Sequence, residues 1–205
     1  MIEKLSYSLG RNDEEPNIEL AKELAKTKSK KGIKEIVDGL SNPKEQIAND
    51  CIKVLYEIAG IKPELVSEYA EVFIKLLKSR NCRLVWGGMT ALSKIVFLQH
   101  EVIYKNLDAI EKAYQNGSVI TVDNSISVFA ELVKADKKYE KTVFPIIIKH
   151  LENCRPKEVG QHSERAFVCI NKNNSKIFKE TLLKRRENLT PAQQKRVDKL
   201  LKQIG

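Results

Sequence analysis

The sequence predicts an all-α chain built as a right-handed α-α superhelix, a solenoid of stacked helical hairpins. The first observation is a recurring template. Leu84, Gly88, Leu92 and Ile95 share one helical face, and the same spacing fits Ile47, Cys51, Leu55 and Ile58 37 residues earlier. It fits Thr121, Ser125, Phe129 and Leu132 37 residues later, and Val159, Ser163, Phe167 and Ile170 38 residues beyond those. A period of this length holds one helical hairpin. The second observation is that each template follows another apolar helical stretch and a short turn. The third is that only six prolines and nine glycines punctuate 205 residues.

Taken in order, Ile2, Leu5 and Leu9 suggest a short first helix ended by Gly10. Arg11–Pro16 reads as a loop whose carboxylates Glu14 and Glu15 are solvated. Asn17 is placed to cap a helix carrying Ile18, Leu20, Ala21, Leu24 and Ala25. The lysines of 26–31 read as a solvated linker. These segments form an N-terminal cap, residues 1–28, on a single continuous solenoid, residues 29–205.

Five hairpins follow. Ile33–Leu40 pairs with Pro43–Gly60, with Ser41 or Asn42 as the cap and Pro43 at the first helical position. Pro63–Ser79 pairs with Cys82–Leu98, and Glu101–Gln115 with Val119–Ala135. Between the last two, Asn116-Gly117 forms the turn and Ser118 caps. Lys137–Asn153 pairs with Lys157–Asn171, and Pro145 predicts a kink in the first of these. Ser175–Glu187 pairs with Pro191–Ile204, where Thr190 precedes a helix-starting proline. Gly88 stands where a neighbouring helix comes close.

Composition narrows the function classes. The net charge is +9, and residues 172–205 hold ten Lys/Arg against three acids. The four cysteines form no CxxC and no ligand-like pairing with the three histidines. Cys51 and Cys169 occupy core-type positions, whereas Cys82 and Cys154 fall in turns too far apart for a disulfide. A reduced, cytoplasmic protein fits these thiols. The first ten residues contain no signal-like apolar run, and no stretch approaches the ~20 apolar residues of a membrane span. No phosphate-binding glycine loop, HExxH or GxSxG motif occurs, so no catalytic residue, cofactor or metal site is assigned.

The hairpins SNPKEQIANDCIKVLYEIA and SRNCRLVWGGMTALSKIV pair a short turn containing Asn or Pro with a helix patterned V-x-x-x-A-x-x-x-L. This resembles the HEAT-repeat family over roughly residues 29–205. The small-residue position holds Cys51, Gly88 or Ser125 where the family favours alanine. The resemblance implies that the second helix of each hairpin lines a concave binding surface.

On that surface, the third residue counted from each first core position is Asn49, Trp86, Asp123 or Gln161. The fourth is Asp50, Gly87, Asn124 or His162. Lys53, Thr90, Ser127 and Arg165 come one turn on, followed by Tyr56, Ser93, Ala130 and Val168. Trp86 is the sharpest feature, either a core or half-core side chain or an apolar platform beside Gly87-Gly88. Asp123 and Asn124 are candidate polar anchors, Lys53 and Arg165 flanking charges, and Tyr56, Asn49 and Thr90 complete the candidate rim. His162 reads as exposed or turn-facing.

Three functions remain open at this point. A scaffold binding a protein or peptide needs only this strip. A nucleic-acid binder would instead use Lys184, Arg185, Arg186, Lys195, Arg196 and Lys199, although Phe178 sits at an apolar position and offers no stacking. The HEAT-like alkylpurine DNA glycosylases combine Trp, Asp and Arg on the concave face. There the Asp follows the Trp by one turn, a place held here by Thr90, which supplies no carboxylate.

Overall fold

The structure, a computed structural model, describes residues 1–204. Gly205, where the predicted solenoid ends, lies outside the described residues. Eleven α-helices and several 3₁₀ turns make up the described chain, with no strand among them. It gathers into two compact units, one running from Met1 to Ser125 and the other beginning at Ile126.

In the first unit, α1 (Glu15–Thr27), α3 (Glu45–Ile61) and α5 (Cys82–Lys105) stack side by side. Helices α2 (Lys30–Asp38) and α4 (Ala70–Leu76) are the hairpin partners of α3 and α5. The unit also holds α6 (Leu107–Asn116) and the first turns of α7 (Val119–Ala135). Three recurrences of the template are buried as expected: Cys51, Leu55 and Ile58, then Leu92 and Ile95, then Ser125, Phe129 and Leu132 are all wholly inaccessible. The predicted second helix of the second pair continues as α5 into the start of the predicted Glu101–Gln115 helix, interrupted where Gln99 leaves helical geometry (φ −135°, ψ 28°), and the rest of that predicted helix is α6.

Two adjacent glycines let α5 sit between neighbours. A Cβ built on Gly87 would stand 2.6 Å from Ile52 of α3, and one on Gly88 would stand 3.0 Å from the Phe73 carbonyl oxygen of α4. Gly88 therefore does what its spacing predicts, and Gly87 does the same toward the other helix. Both are buried and filled against, so neither opens backbone to a ligand.

The N-terminal segment departs from expectation. Only Ile2–Lys4 forms a 3₁₀ turn, followed by turns to Gly10, whose φ of +68° suits glycine. Leu5 is wholly buried, but Leu9, expected on the same helical face, is exposed. Helix α1 starts at Glu15, with the Asp13 carboxylate accepting its N–H, so Asn17 is no cap. Instead Asn17 is fully buried: its side-chain oxygen accepts the Ser6 N–H and its amide donates to Asp50 on α3. Asp50 also accepts the Tyr7 N–H at 2.8 Å. Thus α1 joins the α3 and α5 row as a packed member of the unit. The lysine-rich link is solvated as expected, with Lys28 left-handed (φ 53°, ψ 37°) and Ser29 capping α2 through the Gly32 N–H. Helix α3 begins after Pro43, because Asn42 accepts the Lys44 N–H and closes a turn first.

In the second unit, α8 (Glu140–Asn153) packs on α9 (Pro156–Ala166) and α10 (Ser175–Arg186), and α11 (Pro191–Ile204) packs on α9 and α10. Helix α8 continues through Pro145, which lies on its exposed side, so the predicted kink does not divide it. The fourth copy of the template holds only at Val159 and Ser163. Helix α9 gives way after Ala166 to a 3₁₀ turn, which leaves Phe167 and Ile170 half-buried and turns Cys169 inward. Asn174 fixes this turn by donating to the Cys169 carbonyl and accepting the Asn171 N–H. His162, expected outside, is buried.

Candidate functional site

The candidate strip lies in the first unit, apart from Arg165. Trp86 is half-buried, between core and full exposure. Its ring lies 5.6 Å from that of Tyr56, tilted by 48°, so two aromatic side chains on stacked helices form one apolar surface. The Arg83 guanidinium stands 5.5 Å from the Trp86 ring and the Lys53 ammonium 4.9 Å from that of Tyr56.

The two cations are not free flanking charges. Lys53 is only 7% exposed, and its ammonium binds Glu57 at 2.7 Å and Glu14 at 3.1 Å. Burial opposes its charge, but Glu57 and Tyr56 outweigh that and hold its pKa above the ordinary lysine value. Burial likewise raises the Tyr56 hydroxyl. Arg83 pairs with the other oxygen of Glu14. Glu14, read from sequence as a solvated loop carboxylate, therefore bridges the two cations beside the aromatic pair. Nothing local in the sequence signals this, because the pairing spans 39 and 69 residues of chain.

Amide side chains knit the remaining strip. Asn81 donates to Asn49 at 2.8 Å, linking the start of α5 to α3. Asn124 donates to the Thr90 hydroxyl at 3.0 Å, and that hydroxyl donates to the Trp86 carbonyl at 2.8 Å. Asp123 is half-buried beside Asn124. Asn49, Tyr56, Trp86, Thr90, Asp123 and Asn124 are thus partly accessible on three successive helices. Asp50, Gly87 and His162 share the register of Asn124 but are buried. Arg165 belongs to the second unit, where it donates to the Ser127 hydroxyl at 2.7 Å.

The basic C-terminal residues divide by type. The arginines are engaged: Arg185 donates to the Glu152 and Cys154 carbonyls, Arg186 binds both oxygens of Asp198, and Arg196 both oxygens of Glu164. Lys184, Lys195 and Lys199 are exposed. Phe178 is wholly buried, as its apolar position predicts. Eighteen Lys/Arg and eighteen Asp/Glu balance in Met1–Ser125, whereas eighteen Lys/Arg face nine Asp/Glu from Ile126 onward. The whole excess of +9 therefore belongs to the second unit.

One grouping escaped the sequence reading, which found no ligand-like pairing of cysteine with histidine. His150, Cys154 and His162 converge in the α8/α9 hairpin. The signal available was the four-residue spacing of His150 and Cys154, one helical turn; the contribution of His162 needed the hairpin's register. Among the described residues no helix is long and apolar enough to cross a membrane.

No protein-family model matches the sequence, and no curated protein matches it. Solved structures do match its fold. An engineered protein determined by a structural genomics consortium superposes with a TM-score of 0.64 at 18% identity, covering 99% of this chain and 96% of its own. A second engineered protein from that source gives 0.64 at 19% identity, covering 99% of this chain and 57% of its own. A designed armadillo repeat protein gives 0.64 at 13% identity, over 94% and 93% of the two chains. The fold is an armadillo/HEAT-type α-solenoid, the architecture expected from the repeat. At these identities the likeness extends to fold alone.

Proposed function

We propose that this chain is a non-enzymatic, cytoplasmic binding scaffold that takes a protein or peptide partner on the Tyr56–Trp86 strip. The observation that carries the reading is the aromatic pair itself. Two large rings from stacked helices meet at a partly open surface, ringed by amides with hydrogen-bonding capacity. Buried-edge aromatics surrounded by polar groups are what interface hot spots are made of. Repeat folds also present successive second helices as one extended wall. The reading assigns no catalytic residue: Thr90 stands where a glycosylase of the HEAT-like kind carries its carboxylate, and its hydroxyl is bonded to the Trp86 carbonyl.

The test uses a displayed peptide library selected on the intact chain. Selected peptides are expected to shift Trp86 fluorescence and to lose at least about tenfold in affinity on Trp86→Ala, the size of a hot-spot truncation. Circular dichroism of that variant should remain helical. Peptides that bind wild type and Trp86→Ala equally would overturn the assignment.

A second reading, nucleic-acid binding through the second unit, is favoured by the concentration of net charge there. It would rest on Lys184, Lys195 and Lys199 more than on Arg185, Arg186 and Arg196, which are held internally. It predicts an affinity for single-stranded DNA whose logarithm falls steeply with the logarithm of salt. A flat response would exclude it.

A further inference from the structure

We propose that His150, Cys154 and His162 form a binding site for a zinc-class transition-metal ion that staples the α8/α9 hairpin. One ligand atom from each, two ring nitrogens and the thiol sulfur, lie within 4.8 Å of one another. His150 Nε2 and His162 Nδ1 are 2.7 Å apart. Both histidines are buried, at 8% and 0% exposure, and Cys154 is half-buried. His150 and Cys154 belong to the same helical turn, where the Cys154 N–H donates to the His150 carbonyl at 2.8 Å. His162 faces them from the middle of α9, across a link of only Cys154 and Arg155.

The chemistry of the set is specific. Two imidazoles and one thiol suit zinc, which binds histidine nitrogen at about 2.0–2.1 Å and cysteine sulfur at about 2.3 Å. Those lengths separate tetrahedral ligand atoms by roughly 3.3–3.7 Å. The nitrogens must therefore part by about half an ångström and the sulfur move in by about one, changes within the reach of side-chain rotation. Three protein ligands leave the fourth zinc position to water or an added anion. An apolar core would place no reward on bringing two imidazoles and a thiol together, since each carries polar atoms that burial penalises.

Proton balance is straightforward. In the metal-free pair one ring donates its facing N–H to the other, so one ring must move that proton to its far nitrogen before both can ligate. The thiol loses its proton to solvent as the sulfur–zinc bond forms. Arg185 of α10 donates to the Cys154 carbonyl at 2.6 Å, fixing the turn that carries the sulfur and placing a cation beside the thiolate. Glu158, on the first turn of α9, also lies near the thiol and His162, with its carboxylate held by Arg155.

The experiment titrates chelator-treated full-length protein with Co²⁺ and, separately, with Zn²⁺ against a chromophoric chelator. The expected result is one ion per chain, visible ligand-field bands of tetrahedral strength, and a near-ultraviolet thiolate-to-cobalt band. Zinc should bleach these bands and raise the melting temperature. Cys154→Ser should remove the thiolate band, while Cys82→Ser, which alters the exposed cysteine, leaves it. Absence of stoichiometric binding in wild type, bands lacking a thiolate contribution, or loss of the signal in Cys82→Ser would each overturn the site. The wild-type titration decides the matter even if Cys154→Ser fails to fold.

Discussion

A side-chain carbon added to Gly88 would stand 3.0 Å from the Phe73 carbonyl oxygen and 3.2 Å from the Leu76 side chain. The nearest obstacle is backbone, which cannot rotate away. Gly88→Ala gains about 0.5–1 kcal/mol in helix propensity but forces α4 and α5 apart, an overpacking cost of about 1–3 kcal/mol. We expect net destabilisation of about 1–2 kcal/mol from these two opposing effects. Gly60, also helical, has nothing within 4 Å of an added Cβ, so Gly60→Ala should stabilise by about 0.5–1 kcal/mol. Urea unfolding of the two variants should show opposite signs; a stabilised Gly88→Ala would mean that α4 and α5 do not touch there.

Asp50 accepts both the Tyr7 N–H and the Asn17 amide, each at 2.8 Å, while Asn17 holds the Ser6 N–H. Asp50→Ala leaves a buried amide unpaired and releases the N-terminal turns, at a cost of about 2–3 kcal/mol. Limited proteolysis should then cut within the first dozen residues well before the helices are attacked. Unchanged resistance would show that the N-terminal turns are held by packing and not by this carboxylate.

The thiols separate by environment. Burial pushes Cys51 and Cys169 up to about 12, and Cys154 up to about 11, whereas Cys82 is exposed. A disulfide reagent at pH 8 should modify Cys82 rapidly, Cys154 slowly, and the other two only on unfolding. The sign for stability follows from the raised values. Below the ordinary thiol value of 9.0 the protonated form is present in both states, so stability is unaffected. Between pH 9 and about 12 the unfolded chain ionises while the folded thiols do not, so stability falls across that window. Cys51→Ala with Cys169→Ala should flatten this decline in melts taken from about pH 8 to 11; an unaltered slope would assign it to other groups.

Much of the fold was legible because core positions repeat at helical spacing, and Leu55, Leu92 and Leu132 all fall where the template puts them. Register could be read in part, since Gly88 is small where α4 approaches, whereas Gly87, assigned to the strip, is instead packed against Ile52. Burial on the second helices was less legible. Asp50, Lys53 and His162 look like surface residues by type, yet each is buried against a partner: Asn17, Glu14 with Glu57, and His150. Apart from the one-turn contact of Lys53 with Glu57, such pairings depend on how one helix packs against another, and a periodic pattern says where a side chain points without saying what meets it. The same limit hid Asn17, whose type suggested a cap while its burial serves Asp50. Trp86 shows the pattern from the other side. Its register argues against the core without excluding it, and only the position of Tyr56 and Arg83 reveals what half-covers it.

The basic second unit gives the last contrast. Arg196 clasps both Glu164 oxygens and Arg186 both Asp198 oxygens, and the guanidinium hydrogen bonds hold these two carboxyls below their ordinary pKa values. Their charges are already answered within the chain, whereas those of the exposed Lys184, Lys195 and Lys199 reach solvent. If a polyanion binds this unit, reversing the three lysines should remove most of its affinity and flatten the salt dependence by about one slope unit for each phosphate no longer neutralised. Replacing both members of the Arg186–Asp198 and Arg196–Glu164 pairs by alanine should leave that affinity nearly unchanged, because each pair is removed with no change in net charge and exposed pairs add little to stability. Fluorescence anisotropy with a labelled oligonucleotide at several salt concentrations separates the two sets. Equal losses from both would show that the ion pairs open on binding and that the arginines, too, face the ligand.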